Sequence, residues 1–319
     1  MHEYDFYHLA EYHRLDTSGE AFLLYFANET DAFAFPVIVR NIEGTEYKDI
    51  TSVYGYAGPL SRKSHPAPEA IRLFQEELKK YLDDNRIISV FARLHPLFED
   101  QSSLLQNRGE VSDTNLTVAI DLTLPEKEQR SQYVHSLKND INRLHKKGLV
   151  IKKAETKEDI DTFIAIYREN MKRVHASAMY FFPDSYFYDF LDTLPATIFL
   201  AYYEGTAVSG CLFTACNGII QTHLSATEDD YLALSPLKYV WDQIRIWGTK
   251  EQLQWVHLGG GYGGQNDALF AFKSQFSNRR FVFKVWKYIH HPEAYHRLVQ
   301  KKYKGNLPDT AFFPLYRYE

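Results

Sequence analysis

Apolar residues recur along this chain with two periods, near two and near 3.6, and the switches between them mark the elements. Period-two runs predict strands over 21–27 and 33–40, separated by the turn-forming Asn28-Glu29-Thr30-Asp31. A third strand, 49–54, runs into Gly55-Tyr56-Ala57-Gly58-Pro59-Leu60, and a polar linker over 61–66 follows. Ile71, Phe74, Leu78 and Leu82 then recur at spacings of three and four, which predicts an amphipathic helix. Strands over 87–93 and 117–122 complete the first half. Next comes a helix over 125–148, with Pro125 at its first position, Glu126 and Glu128 in its first turn, and His145-Lys146-Lys147 before the closing Gly148.

The second half predicts a strand over 149–154, helices over 157–174 and 185–194, and strands over 197–203, 207–215 and 219–225. Gly205-Thr206 and Asn217-Gly218 supply hairpin turns between those strands. A helix over 236–247, strands over 254–258 and 280–288, and a helix over 293–301 end the chain. Each half thus contains a strand ending in a polar segment, an amphipathic helix and a buried strand. The strand ending at Arg93 matches the one ending at His257. The pattern predicts an α/β (α+β) fold with mixed sheets in two domains, 1–148 and 149–319, in keeping with 319 residues.

One stretch stands out, 254–277, reading QWVHLGGGYGGQNDALFAFKSQFS. A short β-forming run leads into Gly259, Gly260, Gly261, Gly263 and Gly264, interrupted only by Tyr262. Ordering so many glycines costs several kcal/mol without any packing return. A mobile surface loop is the plain reading; a backbone that approaches a ligand closely is the sharper one. Asn266 or Asp267 caps the following helix, whose apolar run 268–272 leads to Lys273. A lysine among phenylalanines is commonly a snorkelling surface residue; the glycine hinge before it favours a role in a site.

Composition narrows the classes. Apolar residues are 45% and aromatic residues 15% of the chain, enough to fill two cores. The formal charge of −5 argues against a nucleic-acid footprint over the whole surface. It leaves room for a local patch, and Lys138, Arg143, Lys146, Lys147, Lys152 and Lys153 form the most basic stretch. That stretch reads either as a solvated helix face or as a phosphate-binding rim. The start is charged and lacks the apolar core of a signal peptide, and no apolar run approaches the roughly 18 residues of a membrane span. Cys211 and Cys216 point to opposite faces of one strand and do not bridge, which fits a reducing cytoplasm.

The order of elements, with 54–60 (YGYAGPL) in the first half and the glycine stretch in the second, resembles the Fem-type (FemABX) peptidoglycan aminoacyltransferases. It also resembles related acyltransferases of the wider GNAT superfamily. The resemblance implies tandem GNAT-like domains, each a mixed, mostly antiparallel sheet flanked by helices. It further implies transfer of an aminoacyl group from aminoacyl-tRNA to an amine on a cell-wall precursor, in the cytoplasm or at the inner face of the membrane. Family members place a Phe-Lys pair at the late helix in catalysis, which carries over to Phe272 and Lys273. Where the family ends a strand in Asp-Pro, this chain has His95-Pro96. The basic helix is diluted by Asn139, Asp140 and Asn142, and no heptads form a coiled-coil arm.

The chemistry requires a neutral amine to attack an ester or thioester carbonyl whose oxygen becomes anionic. Lys273 and the amides of the glycine turn can stabilise that charge; losing one such donor typically costs about 3–4 kcal/mol, or roughly 10²–10³ in rate. Asp267, His257 and His223 are candidates for taking the amine's proton. The candidate substrate-binding set is Tyr54, Tyr56, Gly58, Arg93, His223, Gly260, Gly261, Tyr262, Lys138 and Arg143. His257 and His223 end adjacent strands without a third ligand in sequence, so no metal is expected. No nucleophile elbow or phosphate loop is present, which favours direct transfer with no tightly bound cofactor. An acyl-CoA donor is the alternative; against it, Glu228, Asp229 and Asp230 occupy the place of a pyrophosphate-binding turn in the second half. A non-catalytic module that binds an envelope ligand is the second alternative.

Overall fold

The computed structural model describes residues 1, 3–262 and 267–318. In chain order it contains α1 (Ala10–Arg14), β1 (Glu20–Ala27), β2 (Ala32–Asn41), β3 (Lys48–Thr51), β4 (Leu60–Ser61), α2 (Pro68–Asp84) and β5 (Ile87–Leu94). α3 (Gln101–Leu104), β6 (Glu110–Asp121), α4 (Glu126–Ser131), α5 (His135–Lys146), β7 (Val150–Lys153), α6 (Lys157–Arg173) and α7 (Asp184–Thr193) follow. Then come β8 (Ala196–Tyr203), β9 (Thr206–Cys216), β10 (Ile219–Thr227), α8 (Leu237–Lys250), β11 (Trp255–Gly259), α9 (Ala268–Lys273), β12 (Arg280–Ile289) and α10 (Pro292–Tyr303).

The chain divides into two compact units, residues 1–115 with 282–319 and residues 116–281. The 148/149 division read from the sequence falls inside the second unit, between α5 and β7. Its cause is packing: Leu137, Ile141 and Leu144 of α5 are buried in one core with Val240, Trp241 and Ile244 of α8.

In the first unit the strands run β1-β2-β3-β5-β12. β3 and β5, joined through α2, are parallel, while β1–β2, β2–β3 and β5–β12 are antiparallel. Alternate residues of β2, namely Phe33, Phe35, Val37 and Val39, meet Ala70, Phe74, Leu78 and Leu82 of α2. The Phe33 and Phe74 rings stack 4.9 Å apart, and each such buried side chain is worth about 1.5–3 kcal/mol. The C-terminal segment is pinned through the buried Asp49. Its carboxylate accepts from Arg40 Nε at 2.7 Å, Arg317 Nε at 2.5 Å and the Tyr316 hydroxyl at 2.9 Å.

In the second unit the order is β6-β11-β10-β9-β8-β7. β10 and β11, joined through α8, are parallel over Ile219–Gln221 and Trp255–His257, and the other ladders are antiparallel. A strand–helix–strand step therefore gives a parallel pair in each unit, as the sequence repeat predicts. Phe199 and Ala201 of β8 belong to the α5/α8 core. Leu200, of the other parity, approaches Gly210 beside Phe163 of α6.

Three expectations change. The helix over 125–148 is two helices, α4 and α5. The chain turns extended at Val134, whose N–H donates to Gln275 O, while Tyr133 is buried with its hydroxyl on Asp242. The strand over 49–54 ends at Thr51, the last residue paired with both β2 and β5, and Gly55 adopts φ +118. The strand over 117–122 begins earlier, at Glu110. Cys211 and Cys216 are both buried and unbridged.

Candidate functional site

The parallel ladder of β10 and β11 stops at Gln221 and His257, and the glycine turn begins two residues later. Sites in such sheets collect where paired strands diverge. Gly259 is left-handed, with φ +75, a conformation that only glycine adopts at little cost. A Cβ on Gly260 would come within 2.9 Å of Leu116 O, so the backbone of β6 leaves no room for a side chain. Together these two residues aim the Gly260 carbonyl at the Lys273 ammonium, 2.6 Å away. Gly263, Gly264 and the alternative cap Asn266 lie outside the described residues.

Asp267 is the cap. Its Oδ1 accepts from Phe270 N at 2.8 Å and its Oδ2 from Tyr262 N at 2.9 Å. Burial raises the Asp267 carboxyl, but these amides outweigh it and hold the group below the usual carboxylate range. An ionised carboxylate with both oxygens engaged is a poor proton acceptor and a good anchor. Lys273, partly buried at the end of α9, is lowered to about 8 by desolvation, with Asp267 pulling the other way. Phe272 turns to the core: its ring lies 5.2 Å from Trp241 and 5.7 Å from Phe276. That packing fixes the helical turn carrying Lys273. Replacing Asp267 by Ala removes the cap and the nearby charge. The expected result is a loss of about 1 kcal/mol in chemical denaturation and a lower Lys273 pKa by NMR titration; an unchanged Lys273 pKa would contradict the arrangement.

His257 is fully buried and pairs through Nδ1 with Gln221 Oε1 at 2.8 Å. His223 lies at the irregularity in the β10–β9 register. Its Nε2 is 2.8 Å from the Tyr186 hydroxyl, and its ring stacks on Phe190 at 4.7 Å. Burial lowers His223 to about 3, leaving a neutral, weakly basic imidazole. Tyr262 is exposed, its ring 6.3 Å from Tyr180, and Gly261 is the bend before it. Lys138 and Arg143 are engaged close by: Lys138 Nζ donates to Ser131 O at 3.0 Å, and Arg143 pairs with Asp140 at 2.9 Å. Of the acids after β10, Glu228 is raised to about 7 by burial and by its hydrogen bond with Glu169, and Asp229 pairs with Arg173 at 2.7 Å.

Tyr54, Tyr56, Gly58 and Arg93 belong to the first unit. The Tyr54 carbonyl accepts from the Tyr12 hydroxyl at 2.8 Å. The Tyr56 ring packs edge-on against Tyr7, His95 and Phe283. Burial raises its hydroxyl to about 12, with Arg93 opposing. A Cβ on Gly58 would meet Gln101 Oε1 and Leu94 at 2.8 Å, and the Arg93 guanidinium lies 5.1 Å over the Phe91 ring. His95 is buried. Its Nδ1 accepts from Leu97 N–H, so its Nε2 carries the proton and donates to Asp5 Oδ2 at 3.1 Å. With both ring nitrogens engaged, His95 clamps the N-terminal segment.

Sequence reasoning missed Gln221, Tyr186, Trp241 and Asp5. Gln221, a lone amide in the apolar run Ile219-Ile220-Gln221, was the one with a visible signal. Among the described residues, no group of three or more His, Cys, Asp and Glu side chains is placed to hold a metal ion. None of their helices is long and apolar enough to cross a membrane.

No family model matches the chain, and no curated protein matches its sequence. Solved structures do match its fold. "Crystal structure of FemX" aligns with a TM-score of 0.75 at 12% identity, over 92% of this chain and 94% of that one. L-PGS from Bacillus licheniformis gives 0.58 at 13% identity, over 88% and 87%. The C-terminal domain of a putative lysylphosphatidylglycerol synthetase from Agrobacterium fabrum gives 0.58 at 12%, over 92% of each. Across nearly its full length, this chain has the fold of FemX.

Proposed function

We propose that this protein is an N-acyltransferase that moves an aminoacyl group from aminoacyl-tRNA to an amine on a cell-envelope precursor by direct attack. The observation that carries the reading is the Lys273 ammonium, held 2.6 Å from Gly260 O where β10 and β11 stop pairing. Lys273 supplies the charge for the nascent oxyanion, and Phe272 and Asp267 hold it in place. Acylation of the acceptor removes no atom from the enzyme: the amine nitrogen bonds to the carbonyl carbon, the ester bond to the tRNA breaks, and the amine's proton leaves with the tRNA hydroxyl or through water. The fold shared with FemX supports this class, and the name of the lysylphosphatidylglycerol synthetase pairs an aminoacyl group with a lipid.

The test is to incubate the protein with charged tRNAs and with acyl-CoAs in parallel and to follow deacylation as candidate amine acceptors are added. Acceptor-dependent release of free tRNA is expected. Release of CoA alone would replace the donor assignment, and binding without release of either would make the protein an envelope-ligand binding module.

A further inference from the structure

The helix that carries Lys273 has few anchors of its own. α9 spans six residues, and none of them is fully buried. Asp267 caps its start. At its end Phe272 leans on the indole of Trp241, with 5.2 Å between ring centroids. Phe276, just beyond the helix, meets the same indole at 5.3 Å. Where that indole sits therefore bears on where Lys273 Nζ lies, 2.6 Å from Gly260 O.

Trp241 is 2% exposed and lies in the apolar core of the second unit. An indole N–H only donates, and this one reaches Ser225 Oγ of β10 at 3.2 Å. The Ser225 hydroxyl in turn donates to Cys211 Sγ at 3.2 Å, directly across the β10–β9 ladder. Burial pushes the Cys211 thiol up to about 12, with Ser225 and Trp241 opposing, so the thiol keeps its proton. It faces Leu212 O at 3.7 Å. The chain thus has one direction, from a group that only donates to a group that only accepts. Packing alone leaves an aromatic side chain a broad choice of χ2. Turning this ring over would strand a buried N–H without an acceptor, which is costly. The Ser225 hydroxyl therefore decides which edge of the indole meets Phe272.

We infer that Ser225 is a positioning residue: its hydroxyl fixes Trp241, Trp241 fixes Phe272, and the Lys273 ammonium is thereby held at the glycine turn. Its effect on rate rests on the acyl transfer proposed above; its effect on the placing of Lys273 does not. A hydroxyl that only stabilised the contact of β10 with α8 would, when removed, lower the melting temperature and leave the titration of Lys273 unmoved. A hydroxyl that touched substrate would act through KM.

The experiment compares Ser225→Ala, Ser225→Thr, Trp241→Phe and the combined Ser225→Ala/Trp241→Phe variant in the full chain. Lysine-labelled protein is titrated by NMR without substrate, the Lys273 signal being the one that Lys273→Met deletes. In Ser225→Ala the ammonium should leave its desolvated place, and its pKa should rise from about 8 toward the ordinary lysine value. kcat should fall roughly ten-fold, with KM held within about two-fold. Ser225→Thr keeps the hydroxyl and should restore both readings. Once Trp241→Phe has removed the N–H, adding Ser225→Ala should change little more, because the two side chains act as one unit. If Ser225→Ala does not fold, Trp241→Phe alone must raise the Lys273 pKa. An unmoved Lys273 titration, additive effects of the two substitutions, or a change confined to KM overturns the inference. If Lys273 shifts as expected while Lys273→Met transfers at the parent's rate, the positioning holds and the catalytic role of the lysine falls.

Discussion

Lys273→Met is expected to abolish most of the transfer activity while making the protein more stable. The activity arm follows from the chemistry: removing one preorganised donor from a nascent oxyanion costs roughly 10²–10³ in kcat. The stability arm follows from burial. Desolvation brings Lys273 from its ordinary value near 10.5 down to about 8. Between those two values the unfolded chain holds a proton that the folded chain has released, so stability rises with pH across this window. Below pH 8 the folded protein bears the full cost of a desolvated ammonium, on the order of 2–3 kcal/mol. Met fills a similar volume without the charge. Chemical denaturation at pH 7 should therefore show a more stable variant, with the gap closing as pH climbs toward 10. The pH–rate profile provides a second check. If the ammonium is the working form, kcat in the parent falls as pH rises through about 8; if the neutral amine acts as a base, it rises there instead. A variant that is both less stable and fully active would remove Lys273 from the mechanism.

That lysine was legible in the sequence because glycines leave a mark that needs no partner to interpret. Five of them after a β-forming run predict a close approach to a ligand; at Gly260 the neighbour that leaves no room for a side chain is the backbone of β6, at Leu116 O. Period-two and period-3.6 runs fixed most strands and helices for the same reason: burial of one face is a local property of the chain. The misplacements are non-local. Nothing in 125–148 announces that Val134 N–H will bond Gln275 O and split the helix. Nor does the sequence announce that β12 will return to pair with β5 and carry the C-terminal residues back to the first unit. The candidate bases fared similarly. His223, His257 and Asp267 have the right chemistry by residue type, but Tyr186, Gln221 and two backbone amides engage them. Those partners lie up to 37 positions away in the chain.

Asp242→Ala is expected to have the largest effect on stability, about 3–5 kcal/mol, the usual penalty for leaving one charge of a buried pair uncompensated. Asp242 and Arg245 have side chains only 2% exposed, and the Arg245 Nε–Asp242 Oδ1 distance is 3.2 Å. The Tyr133 hydroxyl donates to the same oxygen at 3.0 Å, and Arg245 Nη1 donates to Gln129 Oε1 at 2.9 Å. Gln129 Nε2 in turn holds Leu122 O and Leu124 O. The network locks α8 to α4 and to the end of β6. Its relevance to the site is mechanical: Trp241, the neighbour of Asp242, carries the ring against which Phe272 packs. Loosening α8 should therefore lower transfer activity as well as stability, through kcat more than KM, although the contacts of Asp242, Arg130 at 3.9 Å included, are to none of the residues assigned to the reaction. Replacing Asp242 and Arg245 together by Leu and Met tests the cause. A buried ion pair exchanged for apolar residues of similar volume is often neutral or stabilising, so the double variant should regain most of the lost stability. If it is as unstable as Asp242→Ala, the penalty comes from lost packing around α8 and not from the stranded guanidinium.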